Sequence, residues 1–102
     1  METKKYNFKG TDVNVFVKEY ANNYSKAILM NDAEDDLPFM CATVCIPDIS
    51  LKENEIIIKN YSENKGVIDF LIKNNIVRKT NRILDDYDDV FVCKLLPINE
   101  WL

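Results

Sequence analysis

The strongest constraint on the fold is an alternation of apolar and polar residues in the segment TDVNVFVKEY, residues 11–20. Val13, Val15 and Val17 share one face of an extended chain, and polar residues dominate the other. A period of two is typical of a β-strand with one buried face. Phe16 interrupts the polar face, so we expect part of that face to be covered as well.

Turn signals on both sides of this segment predict further short strands. Gly10 separates it from an earlier strand-like run, and Asn22-Asn23 separates it from SKAILM at residues 25–30. Glycine and asparagine tolerate the positive φ angles of tight hairpins, so both positions predict antiparallel connections.

The run FMCATVCI, residues 39–46, is almost entirely apolar and lies between Pro38 and Pro47. A short apolar run between turn signals predicts a central strand covered on both faces. EIIIKNY at 55–61 and VFVCKLLP at 90–97 predict two more strands, and IVRKTNRIL predicts a strand followed by a turn.

One segment has a helical period instead. From Val67 onwards apolar residues recur at spacings of three and four, which predicts an amphipathic helix over about residues 64–74. Ser62 or Asn64 is suited to cap its start, because either side chain accepts a backbone N–H. Asn74 and Asn75 are suited to a left-handed cap at its end.

These elements predict a single α+β domain over residues 1–102. We expect a mostly antiparallel sheet of about five or six strands, with the helix packed on one face above the apolar strand 39–46. A chain of 102 residues is long enough for one compact domain. Trp101, next to the C-terminus, either docks on the sheet or belongs to an interface, and we favour docking.

The charge balance restricts the partners. The chain has 17 acidic and 13 basic residues and a net charge of −4, which disfavours direct binding to nucleic acid. No run approaches the ~20 apolar residues that cross a bilayer, so we expect no membrane contact. The first ten residues lack the apolar core of a secretion signal, and three cysteines fit a reducing compartment. We therefore expect a cytoplasmic protein.

Catalytic patterns are missing from the sequence. There is no histidine to move protons or bind metals, and two glycines cannot form a phosphate-binding loop. Cys41 and Cys45 would lie about 13 Å apart on one strand, too far for a disulfide or a shared metal. We expect these two and Cys93 to be buried thiols, and the protein to be a non-enzyme without a cofactor.

Two acidic clusters are the main candidates for partner contacts. The first consists of Asp32, Glu34, Asp35 and Asp36, and the second of Asp85, Asp86, Asp88 and Asp89. Neither has the spacing of a calcium loop, and ordinary solvated loops would explain both. The functional hypothesis is that they imitate a nucleic-acid backbone and contact basic residues of a protein partner.

The turn KNYSENKG, residues 59–66, is a further candidate. It is either a strand-to-helix corner or a contact site, and Tyr61 and Glu63 distinguish the two. If their side chains are buried within the chain, their role is structural. If both are exposed, they form a secondary contact with a partner. Gly66 would cost a helix about 1 kcal/mol relative to alanine, which asks for a structural reason.

Three segments, FMCATVCIPD, IIIKNYSENKGVIDFLIKNNIV and VFVCKLL, resemble a family of small proteins from phages, plasmids and conjugative elements of Gram-positive bacteria. The family shows an I-K-x-Y-S-E-N-x-G segment and a TGR-like turn, which here is Thr80-Asn81-Arg82. The setting of these proteins is similar to that of anti-CRISPR inhibitors. The resemblance implies a non-enzymatic inhibitor that binds a CRISPR–Cas effector in a bacterial cytoplasm.

The alternative is a general accessory protein of a mobile element. It would act as an interaction module or homodimer through an apolar sheet face, with Phe16, Tyr20 and Tyr24 as contacts.

Overall fold

A computed structural model describes residues 3–19, 26–46, 49–82, 84 and 87–102. The chain divides into two compact units, Met1–Ala42 and Thr43–Leu102, and the expectation of a single domain stays a prediction. The α+β class and the antiparallel pairing are confirmed. The single sheet of five or six strands is wrong, because the strands of the described residues form one sheet of four and one of three.

The strands and the helix have these bounds: β1 Lys4–Phe8, β2 Thr11–Glu19, β3 Lys26–Asp32, β4 Pro38–Cys41, β5 Glu55–Lys59, α1 Val67–Lys73, β6 Val77–Lys79 and β7 Val90–Leu95. The first unit contains the sheet β1-β2-β3-β4, and the second contains the sheet β5-β7-β6. None of the helices in the described ranges has the length and apolarity to span a bilayer.

The β1–β2 hairpin closes as its glycine predicts. Phe8 pairs with Thr11, which leaves a two-residue loop. Lys9 and Gly10 both have positive φ, at 51° and 88°, as a type I′ turn requires. The turn predicted at Asn22-Asn23 lies outside the described residues.

The alternation in β2 separates a buried face from a partly exposed one. Val13 and Val15 are fully buried, and their neighbours Ile28 and Met30 on β3 are buried with them. Phe16, on the opposite face, is half-buried. The predicted half-buried strand is therefore confirmed, including partial cover of its second face.

The prediction of one central strand over residues 39–46 is wrong. β4 ends at Cys41 as the edge strand of the first sheet, where Phe39 is 40% exposed. Thr43, two residues later, bridges Ile58 of β5 in the second unit. The apolar run is thus a short edge strand followed by an irregular segment that contacts β5 through one isolated bridge. Pro38 suits an edge position, because it has no N–H to donate.

The second sheet supplies the strand that is covered on both faces. On β5, Ile56, Ile57 and Ile58 are all at most 2% exposed. Ile57 packs with Val90 and Val92 of β7 beneath a cover of partly buried side chains: Val44, Ile46, Ile49, Leu51 and Leu84. The helix α1 contacts β5 and β6, so it packs on this three-stranded sheet and not on the strand 39–46.

The start of α1 is capped by Asn60, a residue six positions before the N-cap residue. A 3₁₀ turn at Ser62–Asn64 precedes the helix, and Gly66 is its N-cap residue. Asn60 Oδ1 accepts hydrogen bonds from the backbone N–H of Gly66 at 3.0 Å and of Ile68 at 3.1 Å. The prediction of Ser62 or Asn64 as the N-cap residue is wrong, since the N-cap residue of α1 is Gly66.

The end of α1 is the predicted left-handed cap. Asn75 has φ 59° and donates its N–H to the Ile72 carbonyl at 3.0 Å. The Ile76 N–H bonds the Leu71 carbonyl at 2.9 Å, which completes a Schellman motif. Ile76 and Leu71 are both fully buried.

The C-terminus is anchored to this cap, and the predicted docking of Trp101 is confirmed. Trp101 is 4% exposed and its Nε1 donates to the Leu96 carbonyl at 2.9 Å. The Leu102 N–H bonds the Asn74 carbonyl at 2.9 Å, and Asn75 Nδ2 bonds the Glu100 carbonyl at 2.8 Å.

Candidate protein-binding surface

A backbone hydrogen bond brings two predicted contact segments together in the second unit. Lys59 of β5 pairs with Val90 of β7, and the Asn60 N–H extends the ladder by bonding the Asp89 carbonyl at 2.8 Å. Tyr61 follows Asn60, and Asp88 precedes Asp89. The start of the YSEN turn and the end of the second acidic cluster therefore lie side by side at one end of the sheet.

The exposed aromatic and acidic residues within three positions of this junction are what we call the tyrosine–acid surface: Tyr61, Glu63, Tyr87, Asp88 and Asp89. All five are exposed, Tyr61 by 42% and Tyr87 by 40%. Within the described part of the chain, the carboxylates of Glu63, Asp88 and Asp89 form no hydrogen bond or ion pair. They are therefore open to water or to a partner. Asp85 and Asp86 of the same cluster lie outside the described residues.

The turn beneath this surface is held by its own polar groups. The Asn64 N–H bonds the Tyr61 carbonyl at 3.0 Å, and the Lys65 N–H bonds the Ser62 carbonyl at 3.1 Å. The Asn64 side chain is only 1% exposed. Ser62 has φ 54°, a left-handed conformation that is uncommon for serine. Such bonding gives Tyr61 and Glu63 a defined backbone.

Residues 59–66 therefore contain both structural residues and candidate contact residues. Asn60, Asn64 and Gly66 are architectural, whereas Tyr61 and Glu63 are exposed together, as a contact site requires. Gly66 has φ 91° and ψ −5°, a conformation that glycine adopts without steric cost. It precedes the helix, so the penalty for glycine within a helix does not arise.

The first acidic cluster lies in the other unit, in the β3–β4 loop, and much of it supports that loop. Asp32 Oδ1 accepts the Glu34 N–H at 2.8 Å, and Asp35 Oδ1 accepts the Leu37 N–H at 3.0 Å. Asp36 Oδ1 accepts a bond from Asn31 Nδ2 at 3.3 Å. Asx-type bonds of this kind stabilise turns, so these carboxylates have a structural explanation.

Glu34 is the exception in this cluster. It is exposed, and its carboxylate has no bonding partner among the residues that the structure describes. Leu37, at the end of the loop, is 61% exposed. The loop thus combines one open carboxylate with an accessible apolar side chain.

The Thr80-Asn81-Arg82 turn is a structural clip. Thr80 Oγ1 donates to the Val92 carbonyl at 2.9 Å and accepts the Arg82 N–H at 3.3 Å. Arg82 Nη1 lies 2.7 Å from Glu55 Oε1, which also accepts the Lys52 N–H at 2.8 Å. The pKa of Glu55 is lowered, mainly by the hydrogen bond from the Lys52 N–H and also by Arg82, while desolvation acts in the opposite direction. Sequence reasoning missed this ion pair, because its members are separated by 27 residues.

The three cysteines differ in exposure. Cys93 is fully buried, as expected, and burial raises its pKa to about 11. Cys41 is half-buried and Cys45 is exposed, so the expectation of burial is wrong for Cys45, because residues 42–46 do not continue a buried strand. In the described ranges, no three His, Cys, Asp or Glu side chains are grouped to hold a metal ion.

No protein-family model matches the chain, and no curated protein or solved structure matches it. The site is therefore interpreted from its own geometry.

Proposed function

We propose that this protein is a non-enzymatic inhibitor of a mobile genetic element that binds a bacterial CRISPR–Cas nuclease effector in the host cytoplasm. It would block guide or target engagement by occupying basic residues that otherwise contact nucleic acid. The observation that carries the proposal is the Asn60–Asp89 hydrogen bond, which brings the two segments that carry these exposed tyrosines and carboxylates next to each other.

The chemistry of the tyrosine–acid surface suits a basic protein partner. Carboxylates complement the potential of a Lys- and Arg-rich channel and speed the encounter with it. Tyrosine is enriched at protein interfaces, because its ring supplies a large apolar area and its hydroxyl a polar contact. In this proposal Glu63, Asp88 and Asp89 pair with cations, while Tyr61 and Tyr87 supply the apolar contact.

The β3–β4 loop would add a second contact through Glu34, and Asp35 and Asp36 would add negative potential. The acidic balance of the chain, −4 overall, supports a protein partner over a nucleic acid. The resemblance of the YSENKG segment to proteins of phages and conjugative elements supports the class of partner.

The test is a binding and cleavage assay with a panel of purified, guide-loaded Cas nuclease effectors. We expect the wild-type chain to inhibit at least one of them, and the double variant Glu63→Lys/Asp88→Lys to lose at least 10-fold in affinity. Both positions are exposed and neither has a positive φ, so the variant keeps the fold. Binding should also weaken as salt rises.

The matched control is Glu53→Lys/Glu100→Lys, which changes the net charge equally at two exposed positions outside the proposed surface. It should bind like the wild type. Equal losses in both double variants would show that only net charge matters. Inhibition that survives Glu63→Lys/Asp88→Lys would reject the acidic-surface mechanism, and no binding to any effector would reject the proposed partner.

A further inference from the structure

The second sheet carries two cations side by side on its surface. Arg78 of β6 and Lys94 of β7 lie directly opposite each other in the antiparallel register, and both are exposed. We call these two residues the cation pair. Like charges directly opposite each other destabilise a sheet, whereas opposite charges stabilise it. The cation pair therefore costs the fold stability, which indicates a role outside the fold.

The charges of the cation pair are not compensated within the part of the chain that the structure describes. Neither side chain forms an ion pair or a hydrogen bond there. Glu55 of β5 lies opposite Lys94, but its carboxylate is engaged by Arg82, 2.7 Å away, and by the Lys52 N–H. The groups that lower the pKa of Glu55 are Lys52 and Arg82, and Lys94 is not among them.

The neighbouring charges leave a local excess of two positive charges. Arg82 and Glu55 cancel each other, and the turn before β5 adds one exposed cation and one exposed anion, Lys52 and Glu53. Asp89, where the tyrosine–acid surface meets β7, lies five positions before the lysine of the cation pair, roughly 17 Å of extended chain. This separation exceeds the screening length of about 8 Å at physiological ionic strength. The acidic balance of the whole chain therefore does not cancel the cation pair.

The make-up of this face favours carboxylates over a nucleic acid as the ligand. Surfaces that bind single-stranded nucleic acid combine a stripe of cations with aromatic side chains on which bases stack. Here the excess is two charges, and Phe91, the aromatic residue of β7, lies on the opposite face, because it is three positions from Lys94. The Arg78 guanidinium can hold one carboxylate through two parallel N–H donors, and the Lys94 ammonium can bond a second carboxylate beside it.

We propose that the cation pair binds neighbouring carboxylate side chains of an acidic protein segment. The site is independent of the proposed inhibitor function, because it uses the other end of β7 from the tyrosine–acid surface. Fluorescence anisotropy with a labelled octaglutamate peptide at low ionic strength tests it. We expect the wild-type chain to bind the peptide, and the largest peptide-induced NMR shifts of backbone amides to occur around Arg78 and Lys94.

Arg78→Glu is the decisive variant, because binding and stability should change in opposite directions. It removes one cation and places a negative charge opposite Lys94. The affinity for the peptide should fall by about 10-fold or more, since charge-assisted hydrogen bonds are lost. The melting temperature should rise by about 2 °C, because the two charges now attract each other across the strands. An Arg78→Glu variant that binds like the wild type, or that is less stable than the wild type, overturns the proposal.

The matched control is Lys65→Glu, which changes the net charge equally at an exposed position outside the cation pair. It should bind the peptide like the wild type, and Arg78→Lys, which keeps the charge, should retain most of the binding. Equal losses in Arg78→Glu and Lys65→Glu would show that only net charge matters. An oligouridylate of equal charge that binds more tightly than the peptide would assign the cation pair to a nucleic acid. Either result overturns the proposal, as does a wild-type chain that does not bind the peptide.

Discussion

Arg82 lies 2.7 Å from Glu55 and joins the segment after β6 to the first residue of β5, across the width of the second sheet. The Glu55 side chain is 9% exposed, so its charge is largely removed from bulk water. Two hydrogen bonds to one carboxylate oxygen compensate for that desolvation. This contact fastens both edges of the sheet to each other.

Glu55→Gln should therefore destabilise the protein by about 1–2 kcal/mol at pH 7, because the hydrogen bonds lose their charge assistance. The lowered pKa of Glu55 sets the pH dependence. A carboxyl with a depressed folded-state pKa contributes its full stability above the unfolded value, near 4.3, and loses it as the pH falls through the folded pKa. Urea denaturation at pH 7 and pH 3 should show a difference from the wild type that is smaller at pH 3. The control Glu53→Gln, at an exposed neighbour, should change stability little at either pH.

Gly66→Ala should destabilise the protein by about 1–2 kcal/mol, because its backbone has φ 91° and a Cβ is unfavourable there. Gly66→Asn should cost less, since asparagine tolerates the left-handed region. Thermal denaturation of both variants measures the order. An alanine variant as stable as the wild type would mean that the turn adjusts its φ without loss.

Asn60→Ala should cost about 1–2 kcal/mol, because the N–H groups of Gly66 and Ile68 lose their shared acceptor. Asn60→Asp keeps a side-chain oxygen in place and should retain most of the stability. Ser62→Ala is the matched control, since the Ser62 side chain caps nothing in this turn. Chemical denaturation of the three variants would contradict the assignment if Ser62→Ala were as harmful as Asn60→Ala.

The thiols should react in order of exposure. Ellman's reagent at pH 8 should modify Cys45 within minutes, while Cys93 reacts only after unfolding, because it is buried and its raised pKa of about 11 leaves little thiolate. Mass spectrometry of partly labelled protein identifies the modified residues, and a Cys45→Ser variant removes the fast phase. Rapid labelling of Cys93 in the folded protein would contradict its burial.

Local patterns account for the parts of this fold that the sequence predicts. The alternation in β2, the hairpin at Gly10 and the left-handed cap at Asn75 depend on residues within a few positions of one another. Backbone sterics and side-chain period operate over that range. The docking of Trp101 follows from its own side chain, because a large apolar ring near a chain end is stabilised by burial.

The tertiary structure alone decided how these pieces combine. The apolar run at 39–46 divides into an edge strand and a segment that bridges β5. Asn60 accepts the N–H groups at the start of the helix, and its own N–H bonds Asp89 at the end of β5. Each outcome depends on which strands become neighbours. The pairing of β5 with β7 joins residues that are 31 (Lys59 and Val90) to 39 (Glu55 and Lys94) positions apart, and the competition among possible partners leaves no local pattern. The sequence by itself determined the turns and strands that depend on neighbouring residues; strand pairing determined which distant segments lie next to each other.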